Sequence, residues 1–133
     1  MRIRSAVAFV AAVLACTSAL AGPVSVELNT VETADNRCRL TFVIENKAKE
    51  TLESLKLDLA VFTPQRIVQR RLATELGPVR GEKTIVKTFA LDGACGEIGS
   101  ILVNDVTCAP GAANACIDGL TLTSRIKDVR LYK

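Results

Sequence analysis

Histidine is missing from this chain of 133 residues. With it go the commonest general base and the commonest metal ligand, so neither a Ser–His nor a Cys–His nucleophile pair can be assembled. Tryptophan is also absent, Tyr132 is the single tyrosine and Met1 the single methionine. So few aromatics leave little to build a carbohydrate-stacking platform, and a His/Met copper carrier has no ligands. No C-x-x-C pair, C-x-x-C-H haem site, Walker loop or dinucleotide fingerprint occurs. Asp58 and Asp105 interrupt apolar segments. A carboxylate pair in a cleft can do acid–base work, but outward-facing solvated positions account for such residues more often. These gaps predict a protein that is not an enzyme, with no catalytic residue, no cofactor and no metal.

Long apolar runs are scarce too. The longest, Ala6 to Ala15, follows Arg2 and Arg4 and precedes Ala19-Leu20-Ala21. That is the layout of a secretory signal peptide, with cleavage before Gly22. The run is about ten residues, whereas a membrane span needs roughly 20. The expected division is therefore a signal peptide over 1–21 and one domain over 22–133, with no transmembrane span after processing. Taking 21 residues from 133 leaves 112, and losing Arg2 and Arg4 leaves 15 basic against 14 acidic residues. Net charge falls from +3 to +1. That is no footprint for nucleic acid. Val13-Leu14-Ala15-Cys16 offers a rival fate, because it resembles an imperfect lipobox; Cys16 would then be lipidated and the chain membrane-anchored.

The organising stretch is Ser54 to Phe62, where Leu55, Leu57, Leu59 and Val61 fall at every second position. In a strand these form one apolar stripe; in a helix they scatter. Val24, Val26 and Leu28 alternate likewise, as do Leu40, Phe42 and Ile44 after a turn at Asp35-Asn36. Asn46 to Glu53 reads as an exposed connection. Ile67 to Leu76 fits a strand better than a short helix, because Thr63-Pro64-Gln65 just before it signals a hairpin. Lys83 to Leu91 is rich in β-branched residues, though its two faces do not separate cleanly. Ile101-Leu102-Val103 runs continuously, which predicts a central strand covered on both faces. Cys108 to Cys116 reads as a small flexible loop, and Gly119 to Lys133 supplies a last strand. A stripe on one strand needs a second layer to bury it. The expectation is an all-β, immunoglobulin-like antiparallel sandwich of about seven strands.

Cys38, Cys95, Cys108 and Cys116 remain once the leader is gone. Four allow three pairings. In a Greek-key sandwich the Lys83–Leu91 strand lies antiparallel to Cys38–Asn46, which brings Cys95 to Cys38 and leaves Cys108 for Cys116. Zinc is the rival use of four thiolates, but closely spaced ligand pairs are missing and an oxidising compartment favours disulfides. Arg66, Arg70, Arg71 and Arg80 crowd the middle of the chain. They are the candidate contacts for an acidic partner, against a solvated edge that discourages aggregation.

The run from Leu52 to Phe62, then Thr63-Pro64-Gln65-Arg66-Ile67-Val68, then Leu76-Gly77-Pro78 and Gly81-Glu82-Lys83-Thr84 up to Phe89 resembles the bacterial FxLYD-type and related immunoglobulin-like envelope modules. The whole is similar to small exported proteobacterial proteins of unknown function. The likeness covers most of Val24 to Val106, without the Tyr-Asp of the FxLYD signature. It implies the fold and an envelope location, and no activity. The expectation is a periplasmic or secreted, non-enzymatic module stapled by two disulfides that binds another envelope protein. The alternative is a lipoprotein anchored through Cys16.

Overall fold

The computed structural model describes residues 22–111 and 113–133. The expected leader, with Cys16, Ala19 and Ala21, lies outside them; Gly22 opens the described chain.

Eight strands form where apolar residues recur at alternate positions, because a pleated backbone puts them on one face. They are β1 (Val24–Ala34), β2 (Arg37–Asn46), β3 (Ser54–Phe62), β4 (Val68–Glu75), β5 (Lys83–Asp92), β6 (Ser100–Ala109), β7 (Leu120–Ser124) and β8 (Arg130–Tyr132). Among the described residues a one-turn 3-10 helix, Cys95–Glu97, lies between β5 and β6, and a short α-helix, α1 (Ala113–Gly119), precedes β7. The strands make two four-stranded sheets, in the orders β5-β2-β1-β7 and β4-β3-β6-β8. The fold is an all-β sandwich, as the apolar pattern predicts.

Two features of the connectivity depart from expectation. The tail supplies two strands, one to each sheet, and both are parallel to their neighbours: β7 to β1 and β8 to β6. The other pairings are antiparallel. A parallel neighbour cannot be reached by a tight hairpin; β7 and β8 each arrive from the opposite sheet. In fact every strand after β4 lands on the other sheet from the one before it. The second departure lies in the Asn46–Glu53 connection: Lys47, Lys49, Glu50 and Glu53 are exposed as expected, but its first residue is buried and anchored. Asn46 is only 2% exposed. Its amide donates to the carbonyls of Glu50 at 3.0 Å and Val79 at 3.1 Å, and its Oδ1 accepts from the Ala48 N–H at 3.0 Å. A buried amide needs such partners, since leaving one unmade costs about 1–3 kcal/mol.

The inner faces are as the alternation dictates. Leu55, Leu57, Leu59 and Val61 of β3 face Leu40, Phe42 and Ile44 of β2 across one continuous core. Ile67–Leu76 becomes strand β4, paired with β3 through a hairpin. Asp35 and Asn36 close the β1–β2 hairpin with φ of 51° and 59°, the double left-handed turn that matches strand twist. The continuous run in β6 does sit centrally, between β3 and β8, but it is not covered on both faces: Ile101 and Val103 are buried in the core, while Leu102 is half-buried on the outer face.

The staples follow from register. β2 pairs with β5 so that Cys38 lies opposite Leu91, and Cys95 is four residues further on. The Cys38–Cys95 disulfide forms there, with Cα atoms 4.8 Å apart, and it spans 57 positions. Cys108–Cys116 ties the end of β6 to α1 over 8 positions, at a Cα separation of 6.1 Å. Both separations are ordinary for a disulfide. Lys133 folds back onto the same helix, its Nζ donating to the carbonyls of Ile117, Asp118 and Leu120. A cation there complements the negative end of a helix.

Candidate functional site

Because Leu57, Leu59 and Val61 point into the core, Asp58, Ala60 and Phe62 point outward from the same strand. Cross-strand pairing then lines up two rows on the outer face of the β4-β3-β6-β8 sheet. One row is Val68, Phe62, Ser100 and Arg130; the next is Arg71, Ala60, Leu102 and Tyr132. A band of apolar side chains therefore crosses this face between cations. At the band's outer end Ile67 is 65% and Val68 53% exposed. β4 pairs with β3 alone, so its far side is a free sheet edge.

The four arginines singled out from the sequence do not share one surface. Arg71 lies on the outer face and donates to Asp58 at 2.7 Å. Arg70 shares the inner face with Val61, its cross-strand partner, and is half-buried at the edge. Arg66 occupies the β3–β4 turn, and Arg80 follows β4 in the loop that leads to β5. Arg66 and Arg80 thus lie beyond opposite ends of an eight-residue strand, roughly 26 Å long. The strand reading of Ile67–Leu76 already sends Arg70 and Arg71 to opposite faces, because successive strand residues alternate.

Asp58 and Asp105 are cross-strand partners, beside a bulge. The Asn104 amide at 3.1 Å, and then Arg71, hold the Asp58 carboxyl below its ordinary value. A carboxylate held ionised in this way has no proton to give at neutral pH. Among the described residues no group of three His, Cys, Asp or Glu side chains could hold a metal ion.

Hollows lie at both ends of this sheet, and two of them bear on the site. One, of about 210 Å³, is apolar and lies under the Cys108–Cys116 disulfide, between Leu55 and Leu120. The other, of about 560 Å³, lies at the opposite end, where the turn after Phe62 approaches β8. Arg66, Arg130, Asp128 and Tyr132 line it. The backbone there is tightly packed: a Cβ on Gly99 would stand 2.5 Å from the Thr63 carbonyl oxygen, so only glycine lets β6 start beneath the turn. Sequence reading missed Asp128 and Arg130. They lie more than sixty positions from Arg66, and only the parallel β6–β8 pairing brings them to it.

Comparison of the chain with known families, with curated proteins and with solved structures returned no match. Among the described residues no helix is long and apolar enough to cross a membrane.

Proposed function

We propose that this chain is an exported, non-enzymatic interaction module that takes an extended, acidic segment of another envelope protein onto the free edge of β4. The observation that carries this reading is the pair Ile67 and Val68, exposed side by side where β4 begins. A free edge offers unpaired backbone groups to an incoming strand, and side-chain contacts next to it supply selectivity. Arg66 and Arg70 flank that pair and make no ion pair among the described residues, so an acidic segment is complementary to them. The other long edge, β5, carries Lys83 and Lys87, so a second copy of the chain meets like charge there. Two disulfides suit an oxidising compartment outside the cytoplasm. Lipidation at Cys16 would tether the same module to a membrane, and the mass of the mature N-terminus separates the two fates.

The test is affinity capture from the periplasm with wild type and an Ile67→Thr/Val68→Thr pair. The substitutions are surface changes, expected to leave stability within about 0.5 kcal/mol. Loss of capture with unchanged Tm supports edge docking. Equal capture by both proteins overturns it.

A further inference from the structure

The hollow between the β3–β4 turn and β8 has the makings of a second site, and the geometry points to a carboxylate-binding pocket built from Arg66 and Arg130.

The first ground is Arg66 itself. The turn Thr63-Pro64-Gln65-Arg66 is closed by the Arg66 N–H donating to the Thr63 carbonyl at 2.9 Å, while the Thr63 N–H bonds the Ile67 carbonyl at 2.8 Å. That geometry puts Arg66 in the left-handed region, at φ 64°. Glycine or asparagine sits there at little cost, and a long side chain does not. A strained arginine held at the rim of a cleft is where function is worth testing.

The second ground is Arg130. Its guanidinium carbon stands 4.5 Å from the centre of the Tyr132 ring. Stacking occupies the face of the guanidinium and leaves its edge, which carries the N–H donors, free for a forked contact with a carboxylate. Neither Arg66 nor Arg130 makes an ion pair among the described residues, and neither does Asp128. The pocket therefore holds two free cations and one free anion. With Asp128 counted the lining carries a net charge of +1, so a single carboxylate balances it and a second is repelled. Phe62 on the floor offers apolar cover for whatever bears the charge. The volume of about 560 Å³ suits a group the size of one or two amino-acid residues.

The carboxylate can come from the end of a peptide chain or from an acidic side chain. Chemical-shift titration of the oxidised chain, purified after export, separates them. The probes are acetyl-glycyl-leucine with a free carboxylate, its C-terminal amide, and acetyl-aspartate N-methylamide. At least one of the two acids is expected to shift the amides of Arg66, Ser100 and Arg130, and the neutral amide to leave them still. Whichever acid binds tighter names the source. Arg66→Gln and Arg130→Gln are each expected to weaken binding about ten-fold or more, since each removes a charge-assisted contact. Arg80→Gln, in the loop before β5, is expected to change nothing. Arg66→Gly guards against a folding artefact: it relieves the left-handed backbone, so Tm is expected to rise while binding is lost.

The pocket is overturned if acids and amide shift the same residues equally. It is also overturned if no shift appears at about 50 mM probe, well above the millimolar range expected of so small a ligand, or if Arg66→Gly binds like wild type. These probes are too short to add a strand, so this result stands or falls apart from docking on β4.

Discussion

β4 and β5 hold equivalent places, each the longer of the two outer strands of its sheet and bonded on one side only. Each also turns one half-buried cation toward the sandwich interior: Arg70 beside Val61, and Lys87 beside Phe42. An inward-pointing cation at an edge discourages pairing with any strand that brings no opposite charge, because pairing would bury it unpaired; an acidic segment escapes that penalty. Beyond this shared device the two edges part. β5 runs ten residues in unbroken register with β2, and the Cys38–Cys95 disulfide clamps its far end. β4 slips by one residue near Phe62, and past that slip Ile67 and Val68 stand in solvent. Both edges are unpaired on their far side and β5 too exposes an apolar residue, Val86, at 62%; the difference is that β5 is regular along its length, while β4 is regular only up to the irregularity. An edge can thus be guarded and left open within a single strand.

The largest test of this contrast is the clamp. Loop-closure entropy gives about 4 kcal/mol for the bridge spanning 57 positions and about 2.5 kcal/mol for the one spanning 8. Cys38→Ala/Cys95→Ala is therefore expected to lower the urea midpoint more than Cys108→Ala/Cys116→Ala. The reverse order would mean that the β5 edge is not the anchored one.

Next come the two side chains beside the inward cations. Phe42 is buried and meets the Phe89 ring at 6.0 Å between centroids. Phe42→Ala is expected to cost about 3–5 kcal/mol. Val61→Ala, beside Arg70, removes fewer buried carbons and is expected to cost about 2 kcal/mol. Equilibrium unfolding measures both.

The cations give a smaller stability effect and a clear readout of association. Lys87→Val and Arg70→Val are each expected to shift stability by less than about 1 kcal/mol and to produce dimers in sedimentation velocity. Lys87→Val should associate more, because the strand it exposes has the longer regular register. Monomers in both cases would remove the protective role.

The smallest expected effect is Glu75, at the end of β4. Burial pushes its carboxyl up, but hydrogen bonds from the Ser54 hydroxyl and the Leu55 and Gly77 N–H groups, with nearby Lys56, bring it below 4.5. A lowered value stabilises the fold above the unfolded-state value, and that stability is lost as pH falls through the folded one. Glu75→Gln is thus expected to be slightly less stable than wild type at pH 7 and to lose less stability below pH 4.5. Parallel pH curves for the two proteins would exclude this contribution.

Much of the framework was legible. The alternation of Leu55, Leu57, Leu59 and Val61 is a local signal, and two-residue periodicity has one physical meaning. The Asp35-Asn36 turn was equally local. Lys83–Leu91 was blurred for a physical reason: Lys87 faces inward between Ile85 and Phe89 and breaks the apolar period that would have separated its faces. Cys108 to Cys116 was read as flexible loop, whereas its latter part belongs to a helix, Ala113–Gly119, whose support comes from elsewhere: a disulfide at Cys116 and the Lys133 ammonium on its last carbonyls. The pocket was the least visible part. Arg66 stood out in the chain, but its companions Asp128 and Arg130 meet it only through a parallel pairing set by the path of the tail.

That path has one more consequence. From β5 onward the backbone laces the two layers together stitch by stitch, so neither layer can be finished while the other waits. Partial products with one complete face have no route of their own, and the non-local stitching makes assembly slow beside that of a helical protein of the same size. Unravelling is accordingly expected to be a single event shared by both layers, with loosening of the seam at either end weakening the whole fabric.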